Sequence, residues 1–136
     1  MRAVVVVDSS VWIDFFNGAH NPAHETLRKL LAEGDVRIVV PDLVLYEVLR
    51  GFRHERDFRQ ARLMLESMHL EDCVGAEMAT LAAQQYRALR AQGVTPRASI
   101  DVLVANFCIE NDYLLLHRDR DFDAIEQLRG LRTWQH

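Results

Sequence analysis

Four consecutive valines, Val4–Val7, run straight into Asp8-Ser9-Ser10. An unbroken β-branched run without alternation suits a strand buried on both faces of a parallel sheet, where neither side meets water. The remaining segments supply the helices such a sheet needs. Asn21-Pro22 offers an N-cap and a first-turn proline for a helix whose face is Leu27, Leu30 and Leu31, and Gly34 ends it. Val36–Val40 reads as a second strand closed by Pro41. Asp42 reads as the N-cap of a helix passing through Glu47 to about Leu49, with Gly51 as a breaker. Apolar spacing predicts helices from Arg56 to Met68, on Phe58, Ala61, Leu65 and Met68, and from Ala76 to Ala91, on Met78, Leu81, Ala82, Tyr86 and Leu89. Ser99 reads as the cap of a further helix carrying Ile100, Leu103, Val104 and Phe107. Asn111-Asp112 turns into a strand over Tyr113–Leu116. The tail holds a short helical piece near Ala124–Leu128 and a last strand at Leu131–Trp134. This alternation predicts an α/β fold with a central parallel sheet and helices on both faces.

At 136 residues, with 49% of them hydrophobic, the chain suits one domain, 1–136, large enough to bury a core without staples. Cys73 and Cys108 match no zinc or redox spacing and read as buried thiols in a reducing compartment. No apolar run approaches the roughly 18–20 residues of a membrane span, and Asp8 cuts the only N-terminal candidate for a signal peptide short. The expectation is a soluble cytoplasmic domain with no membrane partner.

In an open parallel sheet, sites form outside the carboxyl ends of the strands. The first strand ends in Asp8, and the Tyr113–Leu116 strand runs into His117-Arg118-Asp119-Arg120-Asp121. Two more acids sit where helices begin near that edge: Glu47, within two turns of Asp42, and Asp101, in the first turn after Ser99. Apolar neighbours surround Asp8, Glu47 and Asp101. Carboxylates gathered there repel one another unless a cation compensates. Oxygen ligands without paired cysteine or histidine select Mg²⁺ or Mn²⁺ over zinc.

The formal charge of −4 argues against a nucleic-acid partner only if the acids are evenly spread. Setting Asp8, Glu47, Asp101, Asp119 and Asp121 aside leaves 15 acids against 16 bases, all but Lys29 being arginine. Guanidinium groups suit bidentate phosphate contacts. Arg50, Arg53, Arg56, Arg59 and Arg62 recur every third residue, a step that spirals around a helix, so only neighbours share a face. Arg50, Arg53, Arg118 and Arg120 are therefore the candidate phosphate contacts.

The four acidic segments resemble the motifs of PIN-domain ribonucleases, particularly the VapC-type toxins of toxin–antitoxin pairs. Val5-Val6-Val7-Asp8-Ser9-Ser10-Val11-Trp12-Ile13-Asp14 resembles the opening motif and Pro41-Asp42-Leu43-Val44-Leu45-Tyr46-Glu47-Val48 the second. Ser99-Ile100-Asp101-Val102-Leu103-Val104-Ala105 and Leu114-Leu115-Leu116-His117-Arg118-Asp119-Arg120-Asp121-Phe122 resemble the third and fourth. The resemblance spans the chain in order. It implies a Rossmann-like three-layer α/β/α sandwich and a metal-binding quartet of Asp8, Glu47, Asp101 and Asp119. Asp121 then corresponds to a further acid and Ser10 to a hydroxyl residue beside the first aspartate. The implied activity is Mg²⁺- or Mn²⁺-dependent endoribonuclease cleavage leaving 5′-phosphate and 3′-hydroxyl ends. A cognate antitoxin and homodimerisation are implied as well.

His117 stands where relatives commonly carry threonine or serine, and it either touches substrate or covers the strand end. Three rival readings bear on the same residues. A flap-type DNA nuclease needs threading helices for which 136 residues leave no room. A phosphorylatable receiver domain needs a lysine near its last strand, whereas Lys29 lies on the first helix. A PIN-like module that binds RNA or a partner without cutting is disfavoured by the full set of acids.

Overall fold

A computed structural model describes residues 2–134. Its sheet has four parallel strands in the order β3-β2-β1-β4: β1 (Val4–Val7), β2 (Arg37–Pro41), β3 (His69–Glu71) and β4 (Leu114–Leu116). Val6 lies opposite Val39 on one side and Leu115 on the other. The valine strand is thus internal, and Val5, Val6 and Val7 are fully buried. Seven helices connect the strands: α1 (Ser9–Asn17), α2 (Pro22–Glu33), α3 (Asp42–Leu49), α4 (Glu55–Glu66), α5 (Ala76–Ala91), α6 (Ser99–Asn111) and α7 (Asp121–Arg129). The helices α2 and α3 both pack on α1, α4 packs on α3, and α5, α6 and α7 form a second group. The result is the three-layer sandwich expected from the alternation.

The chain builds outward from β1 through β2 to β3, then returns through α5 and α6 to place β4 on the other side of β1. That reversal opens a crevice at the carboxyl ends of β1 and β4, the place where ligands bind in such sheets. The Asp8 N–H donates to the Leu116 carbonyl at 2.9 Å, so the pairing of the two strands continues to the lip of the crevice.

Several local expectations need correction. Two elements carried no sequence expectation: α1, which follows Asp8 directly, and the three-residue edge strand β3. Asp42 does not cap α3; it is the first helical residue, and Pro41 occupies the cap position. Its Oδ1 instead accepts from the backbone N–H groups of Leu43 and Cys73, both at 2.9 Å, which ties the segment after β3 to the start of α3. Ser99 likewise lies inside α6, with Ala98 in the cap position. The strand expected at Leu131–Trp134 is reduced to one parallel bridge between Leu115 and Thr133. The last helix begins three residues before the expected Ala124, at Asp121, and elsewhere boundaries differ by a residue or two. The Asn21 cap, whose side chain accepts from the His24 N–H at 2.9 Å, and the left-handed Gly34 that ends α2 stand as read.

The helix α6 is the most enclosed. Val104 to Cys108 are buried in succession, and Asn106 answers with a bond from Nδ2 to the Met78 carbonyl at 3.3 Å. Its third residue is Asp101, so a rigid, packed helix holds that carboxylate at the crevice. Cys73 and Cys108 are both free and buried.

Candidate functional site

Each acid reaches the crevice on a different element. Asp8 is the N-cap of α1, and its Oδ2 accepts from the Ser10 N–H at 3.3 Å and the Ser10 hydroxyl at 2.5 Å. Such a cap satisfies a helix N–H that has no intrahelical partner. Asp8 is only 4% exposed, and burial pushes its carboxyl above the ordinary range despite those donors and the nearby His117 ring.

Glu47 projects from the second turn of α3. Burial raises its carboxyl as well, opposed by a hydrogen bond with Ser9, while the field of Asp8 adds to the rise and that of Arg50 reduces it. Its Oε1 is buried with no hydrogen-bond partner. A carboxylate oxygen removed from water without a donor is unfavourable, and a cation ligand is the arrangement that satisfies it.

Asp101 records the convergence of all five acids. Burial pushes its carboxyl up to about 7, and the fields of Asp8, Glu47, Asp119 and Asp121 push in the same direction. Carboxylate oxygens of Asp101, Asp119 and Asp121 lie within 4.8 Å of one another. Asp119 is fixed by its own loop: its Oδ1 accepts from the Asp121 N–H at 2.9 Å, and its N–H donates to His117 Nδ1 at 3.2 Å. The ring of His117 is buried 4.9 Å from that of Phe122, so this histidine covers the strand end and braces the loop. An all-oxygen set of this kind fits a hard divalent cation.

The basic residues divide. Arg50 stands beside Glu47, with its guanidinium 5.4 Å from the centroid of the Tyr46 ring, which is 57% exposed. Arg118 is bound to Asp14 of α1 through an Nε–Oδ2 ion pair and a 3.4 Å bond from Nη2 to Oδ1, and Asn21 Nδ2 donates to the same carboxylate at 2.9 Å. It holds the acidic loop against α1, a positioning task its sequence neighbours did not reveal. Arg53 lines a cleft of about 500 Å³ with Phe16, Phe52, Asp57 and Met64, beyond the C-terminal end of α1. Of the third-residue arginine series, Arg59 and Arg62 pair along α4 with Glu55 and Glu66. Arg120 is exposed at the N-terminus of α7.

Sequence reasoning missed Arg97. Its Nε lies 3.0 Å from Asp121 Oδ2 and its Nη2 3.8 Å from Asp119 Oδ1. The sole sequence signal was its position four residues before Asp101. Ser9 and Tyr46 were also missed as site groups, although each adjoins an acid that was identified.

Comparison with known proteins agrees with this fold. The PIN domain family model matches residues 5–128. Ribonuclease VapC11 of Mycobacterium tuberculosis is 29% identical over 133 residues, covering 96% of this chain and 97% of that protein. Among solved structures, VapBC2 from Rickettsia felis, bound to a DNA fragment from its promoter, aligns with a TM-score of 0.75 at 16% identity, covering 97% of this chain and 99% of that one. VapBC-1 from nontypeable Haemophilus influenzae aligns with a TM-score of 0.73 at 18% identity, covering 97% of each chain.

Proposed function

The chain belongs to the PIN domain family, and from that premise we propose that it is a divalent-metal-dependent endoribonuclease, the toxin of a toxin–antitoxin pair. The observation that carries this reading is the meeting of five carboxylates from four chain segments at one crevice, where burial first, and the fields of the other four acids after it, push Asp101 up to about 7. Carboxylates gathered at such a cost to stability mark a functional site.

Asp8, Glu47, Asp101, Asp119 and Asp121 would hold the metal, and the oxygen-only set favours Mg²⁺ or Mn²⁺. Bound metal contributes a lowered pKa for water and neutralisation of charge on the phosphate oxygens. The protein's part is preorganisation. Ser10 and the α1 N-terminus fix the Asp8 carboxylate. The packed helix α6 fixes Asp101, and the His117 and Asp121 contacts fix Asp119. A phosphodiester entering the crevice meets Arg50 on one flank, and the exposed Tyr46 face beside it offers a surface on which an unpaired base stacks. Attack of water on phosphorus in line with a departing 3′ oxygen would leave 5′-phosphate and 3′-hydroxyl ends.

The whole unit, 1–136, acts as one domain in the cytoplasm, paired with a cognate antitoxin and associated as a homodimer. Among the described residues no helix is long and apolar enough to cross a membrane. Cleavage of total RNA with Mg²⁺ or Mn²⁺ against EDTA, with mapping of the ends, tests the activity. Divalent-dependent fragments with 5′-phosphate ends are the expected result. Cleavage that persists in EDTA, or in a folded Asp101→Asn protein, overturns it.

A further inference from the structure

The acidic crevice already contains a cation of the protein's own. Arg97 precedes α6 by two residues, and its guanidinium is hydrogen-bonded to Asp121 and ion-paired with Asp119, two of the three acids whose oxygens lie within 4.8 Å of one another. We propose that Arg97 is a built-in counter-cation of this cluster, bound to Asp119 and Asp121 in competition with the divalent ion.

Three features support competition. The acceptors are limited: Asp119 Oδ1, which faces Arg97, already accepts the Asp121 N–H. An oxygen that already accepts one N–H and faces a guanidinium has fewer directions left from which a metal can approach. The tie is also weak enough to yield, because the Arg97 side chain is 69% exposed, and exposed ion pairs contribute little net stability. Finally, the crevice's other basic neighbours have different engagements, Arg118 with Asp14 and Arg50 over Tyr46. Arg97 therefore relieves carboxylate repulsion in the metal-free protein and raises the metal concentration at which the site fills. The two cations exclude each other at the same oxygens, so the coupling between them is negative and reciprocal.

This inference rests on the metal-dependent reading above, and one experiment separates their failures. Mn²⁺ binding to the full chain is titrated by the EPR signal of the free ion, for the wild type, Arg97→Gln, Arg97→Lys, Arg120→Gln and Asp101→Asn. Arg97→Gln is expected to bind Mn²⁺ about two- to fivefold more tightly, the size set by loss of one exposed ion pair. Arg97→Lys keeps the charge and stays within about twofold of wild type. Asp101→Asn weakens binding by about tenfold or more, as expected for a ligand replaced. In EDTA, Arg97→Gln melts at a lower temperature than wild type. Unchanged or weaker Mn²⁺ binding by Arg97→Gln, with Asp101→Asn still impaired, overturns the competition and leaves the metal site standing. Equal tightening by Arg120→Gln also overturns it, since the effect is then one of net charge alone. If Asp101→Asn binds Mn²⁺ like wild type, the metal site itself fails, and the competition with it.

Discussion

The two ends of the sheet treat charge in opposite ways. At the end where β2 and β4 begin, charges of opposite sign meet in the open. Arg132 Nε lies 3.2 Å from Asp112 Oδ1, with the two side chains 56% and 81% exposed. At the end where β1 and β4 finish, five charges of one sign crowd into a partly buried crevice. Asp8, Glu47 and Asp101 are all raised there by burial. Water and an opposite partner screen the charges of the first rim. The second rim stores repulsion that only a cation relieves. The same sheet thus carries a solubilising edge and a working edge, and the difference lies in burial and sign, not in the number of charges.

The sharpest way to break this contrast is to remove one charge from the working edge. Asp101→Asn is expected to lower RNA cleavage by about 10²–10³-fold or more, the scale for loss of a group that stabilises the transition state. The same change should raise the melting temperature of the metal-free protein by about 2–5 °C, because it removes a repulsive charge. Loss of activity accompanied by a lower melting point would instead mean that Asp101 holds the fold together.

Next comes the flank of the crevice. In an Asp101→Asn background that does not cut, Tyr46→Ala should weaken binding of single-stranded RNA about tenfold, whereas Tyr46→Phe keeps the ring and the affinity. Equal losses in both variants would assign the effect to the hydroxyl and remove the stacking surface.

The working edge should also show itself in pH dependence. In EDTA, folded Asp101 keeps its proton to about pH 7, while an unfolded aspartate releases it near 4. The native state binds more protons across that interval, so stability is highest below it and falls as pH rises from about 4 to 7. Thermal melts should drop by about 5 °C between pH 5 and pH 8, and Asp101→Asn should flatten the slope. A melting point that climbs with pH would contradict the crowding.

The smallest effect belongs to the other rim. Arg132→Gln should change stability by no more than about 0.5 kcal/mol in urea titrations and leave RNA cleavage untouched.

Much of this was legible in the chain itself. The fold class followed from the valine strand and from caps such as Asn21-Pro22, because those signals are local. The five acids were legible because strand ends and first helical turns have known places in a parallel sheet. What escaped was tertiary. The helix α1 hid because Asp8-Ser9-Ser10 reads as the end of the valine strand, although Ser10, Asp14 and Asn17 recur at helical spacing. The strand β3 is too short, at His69–Glu71, to show alternation. Asp42 looked like a cap because it follows a strand-ending proline, yet its carboxylate serves Cys73, 31 residues away. The engagement of Arg118 with Asp14 spans 104 residues, and no local pattern announces it. Arg97 became visible only once Asp119 and Asp121 had been folded up to it.

Asp8 caps a helix and lines the crevice with one carboxylate, and this has a bearing on how such a protein decays when selection for its activity lapses. A lineage that loses the activity by drift can replace Asp101 with many side chains and still fold. At position 8 the choice is narrow, because asparagine, serine and threonine still cap α1, whereas alanine forfeits about 1 kcal/mol. Silent descendants should accumulate varied residues at position 101 while keeping a small polar one at position 8. The helix would then preserve a trace of the former chemistry after the chemistry has gone.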